Sequence, residues 1–336
     1  MNWWLLPATV GLSWLLTGLL RRYALSRRLL DIPNARSSHT TPTPRGGGAA
    51  IVLAFMAALP VLRLGGGVTT SALVGLAGAG ALVALIGFWD DHDHLSAGRR
   101  LAAHFLAAGW VLYWLGGLPP LPLFGFMVDF GWLGHLLAAV YLVWLLNLYN
   151  FMDGIDGIAG IEAITVAIGG GLLGWWLIPA ADGWLLPVVL AAAVAGFLGW
   201  NFPVAKIFMG DAGSGFVGLL LGIFSIQAAW LFPALFWSWV ILLGVFVVDA
   251  TLTLLRRILR GKKFYEAHRS HAYQHAARVG GSHPKVSLAT GAINIFWLLP
   301  VAALVAQGLL PGVVGVAIAY PPLVWLAMRF KAGEMD

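Results

Sequence analysis

NLYNFMDGIDGIAG, residues Asn147 to Gly160, joins two long apolar runs through three spaced polar side chains and two Gly-bearing turns. Asn150, Asp153 and Asp156 stand three residues apart where the first run ends. Carboxylates are costly near a bilayer, so acids retained at the end of a membrane span mark function by default. Residues three apart are neighbours on a helix surface, so the set shares a side if the first turn stays helical. A DG turn between helices explains the glycines but not Asn150.

Working outward, the chain has 336 residues, 60% of them hydrophobic and only 10% charged. An ordinary soluble domain is about 25% charged. Apolar runs of ~18 residues or more recur from end to end, each long enough to cross a hydrocarbon core of about 30 Å. The expectation is an all-α, polytopic membrane protein, a single integral domain over 1–336. Eleven helices are predicted, at 3–20, 47–64, 68–88, 101–116, 132–149, 158–178, 184–200, 213–230, 232–255, 286–306 and 311–328.

Alternate connections, 21–46, 89–100, 150–157, 201–212, 256–285 and the tail from Arg329, then fall on one side. They hold every Lys and Arg of the chain except Arg63. By the positive-inside rule this face is cytoplasmic, with the N-terminus periplasmic and the C-terminus cytoplasmic. Of the acids, only Asp129 and Asp182 fall clearly on the opposite side. The first apolar run lacks a basic n-region, so Met1 is expected to begin the first span rather than a signal peptide. The opposite-side stretch LPPLPLFGFMVDFGW, 117–131, is expected to form a short hairpin at the interface, and 17 tryptophans are available as interfacial anchors. With no cysteine, disulfides, thiolate nucleophiles and Cys-ligated metals are excluded. The net charge of +6 is set by membrane topology, and nucleic acid is not an expected partner.

Four further stretches of the basic face carry chemistry. GFWDDHDHLSAGRR sets Asp90 beside Asp91. Two adjacent carboxylates repel unless a cation lies between them or one keeps a proton, and both outcomes suit work on a phosphate. NFPVAKIFMGDAGS carries Asp211 ahead of the next span, among glycines that let backbone approach a ligand. DIPNARSSHTTPTPRGGG offers His39 and Arg45 beside a Gly-rich turn suited to a phosphate. RRILRGKKFYEAHRSHAYQHAARVGGSHPK places His268, His271 and His275 at spacings of three and four. One helix face would present all three, to a metal or, beside so many cations, to a phosphate. Asp249 lies inside the ninth predicted helix and is expected to face the bundle. Carboxylates for Mg²⁺ on the same face as Arg, Lys and His for phosphate oxygens are the equipment of phosphoryl transfer. A site at the membrane surface implies that one substrate is a lipid.

GFWDD, NFMDGIDGIAG, FMGDAGS and HRSHAYQ, in that order, resemble the polyprenyl-phosphate N-acetylhexosamine-1-phosphate transferase family from about residue 30 to residue 285. The resemblance implies attack by a polyprenyl phosphate such as undecaprenyl phosphate on the β-phosphate of a UDP-N-acetylhexosamine, releasing UMP. It implies Mg²⁺, for which Mn²⁺ would substitute, in the inner membrane of a bacterium, and is compatible with a homodimer. By motif, Asp90 and Asp91 match the paired catalytic aspartates, Asp90 being the candidate for deprotonating or orienting the lipid phosphate. Asp211, with Asp91, is the implied metal site. Asn150, Asp153 and Asp156 match the set contacting metal and nucleotide. His268 and His271 match the ends of the histidine motif expected on the diphosphate, with Arg269 between them.

The peptidoglycan translocase of the family carries three consecutive histidines, whereas Arg269 and Ser270 separate His268 from His271 here. That argues against a muramyl-pentapeptide substrate. PTPRGGG resembles members that start O-antigen or related surface polysaccharides; the translocase's first-loop lysine is absent, so the resemblance carries no clamp onto His39 or Arg45, which are substrate-binding candidates from their Gly-rich turn alone. The non-enzyme alternative is a transporter. Transporters place ionisable groups near the bilayer midplane, while most acids here gather at one face.

Overall fold

The computed structural model describes residues 3–33, 39, 41–93, 95–180, 182–262 and 268–334. It is built around α8, Asp211–Leu231. Nearly every side chain of α8 is buried, from Ala212 to Ile226. A helix apolar on all sides is stable only when enclosed. Against it pack, among others, α2 (Gly48–Leu64), α3 (Thr70–Asp93), α5 (Gly131–Met152) and α9 (Ala234–Leu242). α1 (Leu5–Arg27), α4 (Ala97–Leu115), α6 (Ile158–Leu177) and α7 (Leu185–Asn201) complete that half, with α1 packed along α7 and α4 along α3.

The other half holds α10 (Gly244–Leu259), α11 (Ala272–Gly280), α12 (His283–Ile293), α13 (Leu299–Ala306) and α14 (Gly312–Arg329). A π turn, Asn294–Leu298, joins α12 to α13 within one apolar stretch. There Asn294 Nδ2 donates to Glu162 Oε2 (2.7 Å) and Thr165 Oγ1 (2.8 Å) of α6, a polar tie inside the bundle.

Among the described residues six helices are long and apolar enough to cross a membrane, or seven if α9 and α10 count as one span. All eleven predicted segments are helical, but several differ in extent. The 232–255 segment breaks at Leu243 into α9 and α10, which meet at a 69° bend. α1, α3 and α5 run on past their predicted ends, and α4, α8 and α12 begin early, because the polar residues flanking each apolar run continue the helix. The predicted hairpin is present as β3 (Leu121–Leu123) paired antiparallel with β4 (Phe126–Val128). A second short pairing, β1 (Leu30–Asp31) with β2 (Thr43–Pro44), lies at the basic end of the bundle.

One crossing sets the position of the polar residues. Gly48 at the start of α2 and Gly213 at the start of α8 pack backbone to backbone, and a Cβ on either would fall on the other. Just before it, Phe208 N donates to Pro44 O (2.8 Å), Gly47 N to Phe208 O (2.9 Å) and Gly48 N to Met209 O (2.8 Å). PRGGG and FMGDAG are thereby zipped together. Gly213→Ala pushes these segments apart; overpacking of this kind costs about 1–3 kcal/mol. A lowered melting temperature together with lost activity is the expected result, checked by thermal melt and turnover assay.

Candidate active site

The basic end of the bundle encloses a polar cavity of about 220 Å³. Asp91, Asn150, Asp153, Asp156, Asp211, Arg45 and His39 all line it, so seven residues from four separate stretches converge. Asp31, Asn201, Gln274 and His283 line it too.

Asn150, Asp153 and Asp156 reach the cavity by a route other than a shared helix face. α5 ends at Met152, Asp153 is its cap, and the chain turns through Gly154 and Gly157 before α6 begins. Asn201 holds this turn: its Oδ1 accepts from Gly157 N (2.9 Å), while its Nδ2 donates to Ile207 O (2.9 Å). Asn150 Oδ1 accepts from Ser214 Oγ (2.9 Å), tying the turn to α8. Asp156 Oδ1 lies 3.4 Å from His283 Nδ1 at the start of α12, and its backbone carbonyl accepts from Ser287 Oγ (2.7 Å). Desolvation, then the negative charges of Asp91 and Asp156, push the Asp153 carboxyl up to about 7. Burial among like charges favours its protonated form, so a cation entering the cavity competes with that proton.

The adjacent aspartates at the end of α3 diverge. Asp91 Oδ1 accepts from Asp211 N (3.4 Å) and lies 3.9 Å from Arg45 Nη1, and Arg45 also donates to the Asp91 carbonyl. Asp91 Oδ2 is buried with no hydrogen-bond partner among the described residues. Gly210, with φ of 77°, gives it room: a Cβ there would stand 2.8 Å from that oxygen. Asp90 points elsewhere and is not among the cavity's lining residues. Its Oδ1 accepts from Leu95 N (2.7 Å) and its Oδ2 from Arg100 Nη1 (2.5 Å). Arg100 Nη1 also lies 3.7 Å from Asp211 Oδ2. No single cation joins Asp90 to Asp91 among the described contacts: Arg100 pairs Asp90 with Asp211, and Arg45 faces Asp91. Sequence reasoning missed Arg100 because the positive-inside count had already explained it.

The histidines come together without sharing a helix face. His271 is the N-cap of α11 and His268 precedes it, so only His275 is helical. Their rings stack instead, with centroids 5.0 Å apart. Asp249 of α10 organises the turn: it accepts from Ala272 N (2.9 Å), Tyr273 N (2.9 Å) and Thr253 Oγ1 (3.1 Å) and lies 3.4 Å from His271 Nδ1. His268 Nδ1 faces Ser270 N (3.5 Å) and Ser270 Oγ (3.0 Å). Since a backbone N–H donates, the His268 proton sits on Nε2. Burial, then the charges of His271 and Arg257, bring His268 down to about 3, so its ring is uncharged at neutral pH. His268, Arg269 and His271 stand beside the cavity rather than in its lining. Tyr273 stacks on His271 at 5.7 Å between ring centroids, and its hydroxyl donates to Phe151 O (3.1 Å), two residues before Asp153.

His39, from the first loop, packs edge-on to Phe208 at 4.8 Å between ring centroids. Its Nε2 is buried without a hydrogen-bond partner among the described residues. Two orphaned polar atoms, Asp91 Oδ2 and His39 Nε2, thus belong to residues lining one cavity. Among the described residues no three His, Asp or Glu side chains lie close enough to ligate a metal by themselves. Mg²⁺ commonly takes only one or two carboxylates, with substrate phosphates and water completing its shell. Asp91 and Asp211, one with an unmatched buried oxygen, fit that mode.

Comparison with known proteins adds an independent line. The profile of Glycosyl transferase family 4 matches residues 73–229. The chain is 32% identical over 316 residues to decaprenyl-phosphate N-acetylglucosaminephosphotransferase of Mycobacterium leprae, covering 84% of this chain and 79% of that protein. It is 30% identical over 283 residues to a Bacillus subtilis protein named "Probable undecaprenyl-phosphate N-acetylglucosaminyl 1-phosphate transferase", covering 80% and 75%. To the phospho-N-acetylmuramoyl-pentapeptide-transferase of Bacillus licheniformis it is 28% identical over 335 residues, 95% of each chain.

Proposed function

The chain belongs to the polyprenyl-phosphate N-acetylhexosamine-1-phosphate transferases of glycosyl transferase family 4, and from that premise we propose that it moves N-acetylhexosamine 1-phosphate from a UDP-sugar to undecaprenyl phosphate. The observation that carries this reading is the single cavity in which Asp91, Asn150, Asp153, Asp156 and Asp211 face Arg45 and His39. The names of the relatives support the lipid acceptor and favour N-acetylglucosamine among the sugars. On this reading the protein works in a bacterial inner membrane through eleven spans, the short and bent helices included, with the cavity facing the cytoplasm. PTPRGGG supports a role at the start of O-antigen or a related surface polysaccharide.

An oxygen of the lipid phosphate attacks the β-phosphorus in line, the bond from that phosphorus to the bridging oxygen breaks, and UMP leaves. Asp91 and Asp211 would hold Mg²⁺, which when bound neutralises the diphosphate and the leaving UMP. Arg45 in the cavity lining and Arg100, which reaches Asp211 from outside it, balance charge on the phosphates and carboxylates. His268 and His271 meet the donor diphosphate, with His268 offering its Nε2–H as a neutral donor. Asp153 and Asp156 contact the metal or nucleotide. Asp90, its oxygens taken by Arg100 and Leu95 N, orients Arg100 and through it the lipid phosphate.

Phospho-N-acetylmuramoyl-pentapeptide transfer is the second reading, favoured by likeness to the Bacillus licheniformis protein over nearly the whole chain. Arg269 and Ser270 inside the histidine motif weigh against it. A panel of UDP-N-acetylhexosamines, with undecaprenyl phosphate, Mg²⁺ and purified protein in detergent, tests the proposal. UMP released from one sugar only when lipid is present is the expected result. Release from none of them would overturn it, and efficient competition by UDP-MurNAc-pentapeptide would transfer support to the second reading.

A further inference from the structure

The loop from His268 to His271 is held from two sides. Asp249 grips its far end, and the segment that follows α14 grips its middle. After Arg329 the chain doubles back through Lys331, which has φ of 56°, and Ala332 is fully buried. Gly333 N then donates to Ser270 O at 2.7 Å. Arg256 of α10 and Arg260, which caps that helix, clasp this segment. Arg256 Nη1 donates to Ala332 O (2.7 Å) and its Nη2 to Glu334 Oε1 (2.7 Å), while Arg260 Nη1 donates to Gly333 O (2.7 Å).

Ser270 is the residue that meets His268 Nδ1 through both its N–H and its hydroxyl. A continuous chain of hydrogen bonds thus runs from α10 through Gly333 and Ser270 to the imidazole. Gly333 has no slack. Its φ is 69°, and a Cβ there would lie 2.8 Å from Arg256 Cβ and 2.9 Å from Thr253 O. Such a fit ties down a segment that would otherwise fray.

We propose that Lys331–Glu334 is a positioning segment for the sugar-nucleotide site, clasped by Arg256 and Arg260 and acting through Ser270 on His268. The proposal rests on the reading above in which His268 and His271 meet the donor diphosphate. A loop freed from the segment populates its binding geometry only part of the time. Apparent affinity falls in proportion to that population, so a competent fraction of one in ten raises the apparent donor requirement about tenfold. The lipid substrate does not use this loop, and its requirement stays unchanged.

The experiment measures KM for UDP-N-acetylglucosamine and for undecaprenyl phosphate in Arg256→Gln, Gly333→Ala and His268→Ala. Arg256→Gln removes the clasp's bonds to Ala332 and Glu334 without adding bulk, leaving only that of Arg260 to Gly333; Gly333→Ala wedges the segment outward. A rise of about tenfold in donor KM for all three variants, with lipid KM and kcat near wild type in the first two, is the expected result. A raised donor KM in His268→Ala alone overturns the positioning role and leaves the histidine reading intact. Unchanged donor KM in His268→Ala removes the histidine reading and the proposal together. If Gly333→Ala does not fold, Arg256→Gln decides; loss of kcat and thermal stability there with donor KM unchanged marks the segment as merely structural and overturns the proposal.

Discussion

Asp91→Asn leaves a folded protein whose sugar-phosphate transfer is lower by about 10³-fold, the scale of losing a key electrostatic group at a reacting phosphate. The substitution is nearly isosteric. One oxygen remains to accept from Asp211 N, so the contact between α3 and α8 persists. What disappears is the charge facing Arg45 and the unmatched oxygen Oδ2. An amide there presents either a neutral oxygen or an N–H to a cation, and neither replaces a carboxylate ligand. The melting temperature should stay near that of the unchanged protein, while any rise on adding Mg²⁺ is lost. Normal turnover by Asp91→Asn would remove Asp91 from the chemistry.

Arg100→Met lowers turnover by about 10²-fold, the lower end of what removing one preorganised donor costs. Its guanidinium bridges Asp90 at 2.5 Å and Asp211 at 3.7 Å, so the variant leaves two carboxylates facing each other without their cation. Arg100 is partly exposed, and screening by water limits the stability loss to about 1 kcal/mol. The effect therefore falls mainly on catalysis. Arg100→Lys keeps a charge but not the planar guanidinium whose Nη1 meets both acids, and recovers part of the rate. UMP release and thermal melts on both variants check this; a wild-type rate in Arg100→Met would make the bridge incidental.

Much of the site was legible because its acids stand where a membrane protein avoids them. Asn150, Asp153, Asp156 and Asp211 each sit at the end of an apolar run, and the fold brings all four to one cavity. Arg45 and His39 were legible only as a Gly-flanked basic loop, and the backbone pairing of residues 44–48 with 208–209 carries Arg45 there.

Long-range capture defeated the local pattern elsewhere. The spacing of His268, His271 and His275 suggested one helix face, but Asp249, more than twenty residues earlier, takes the N–H groups of Ala272 and Tyr273 and starts α11 after His271. The break between α9 and α10 lies in an apolar run with only Gly244 to mark it, and α14 packs against both pieces. Asp90 and Asp91 are neighbours in sequence and read alike; only packing shows that Arg100 draws one away while the other lines the cavity. Arg100 itself was hidden because one topological rule accounted for every basic loop residue at once.

The central claim is that phosphorus travels with the sugar. UDP-N-acetylglucosamine labelled with ³²P in its β-phosphate, incubated with the purified protein, undecaprenyl phosphate and Mg²⁺, tests it most directly. The account predicts label in the lipid fraction, in equal amount to the unlabelled UMP released. Label that remained in water-soluble UDP while sugar alone entered the lipid would contradict it.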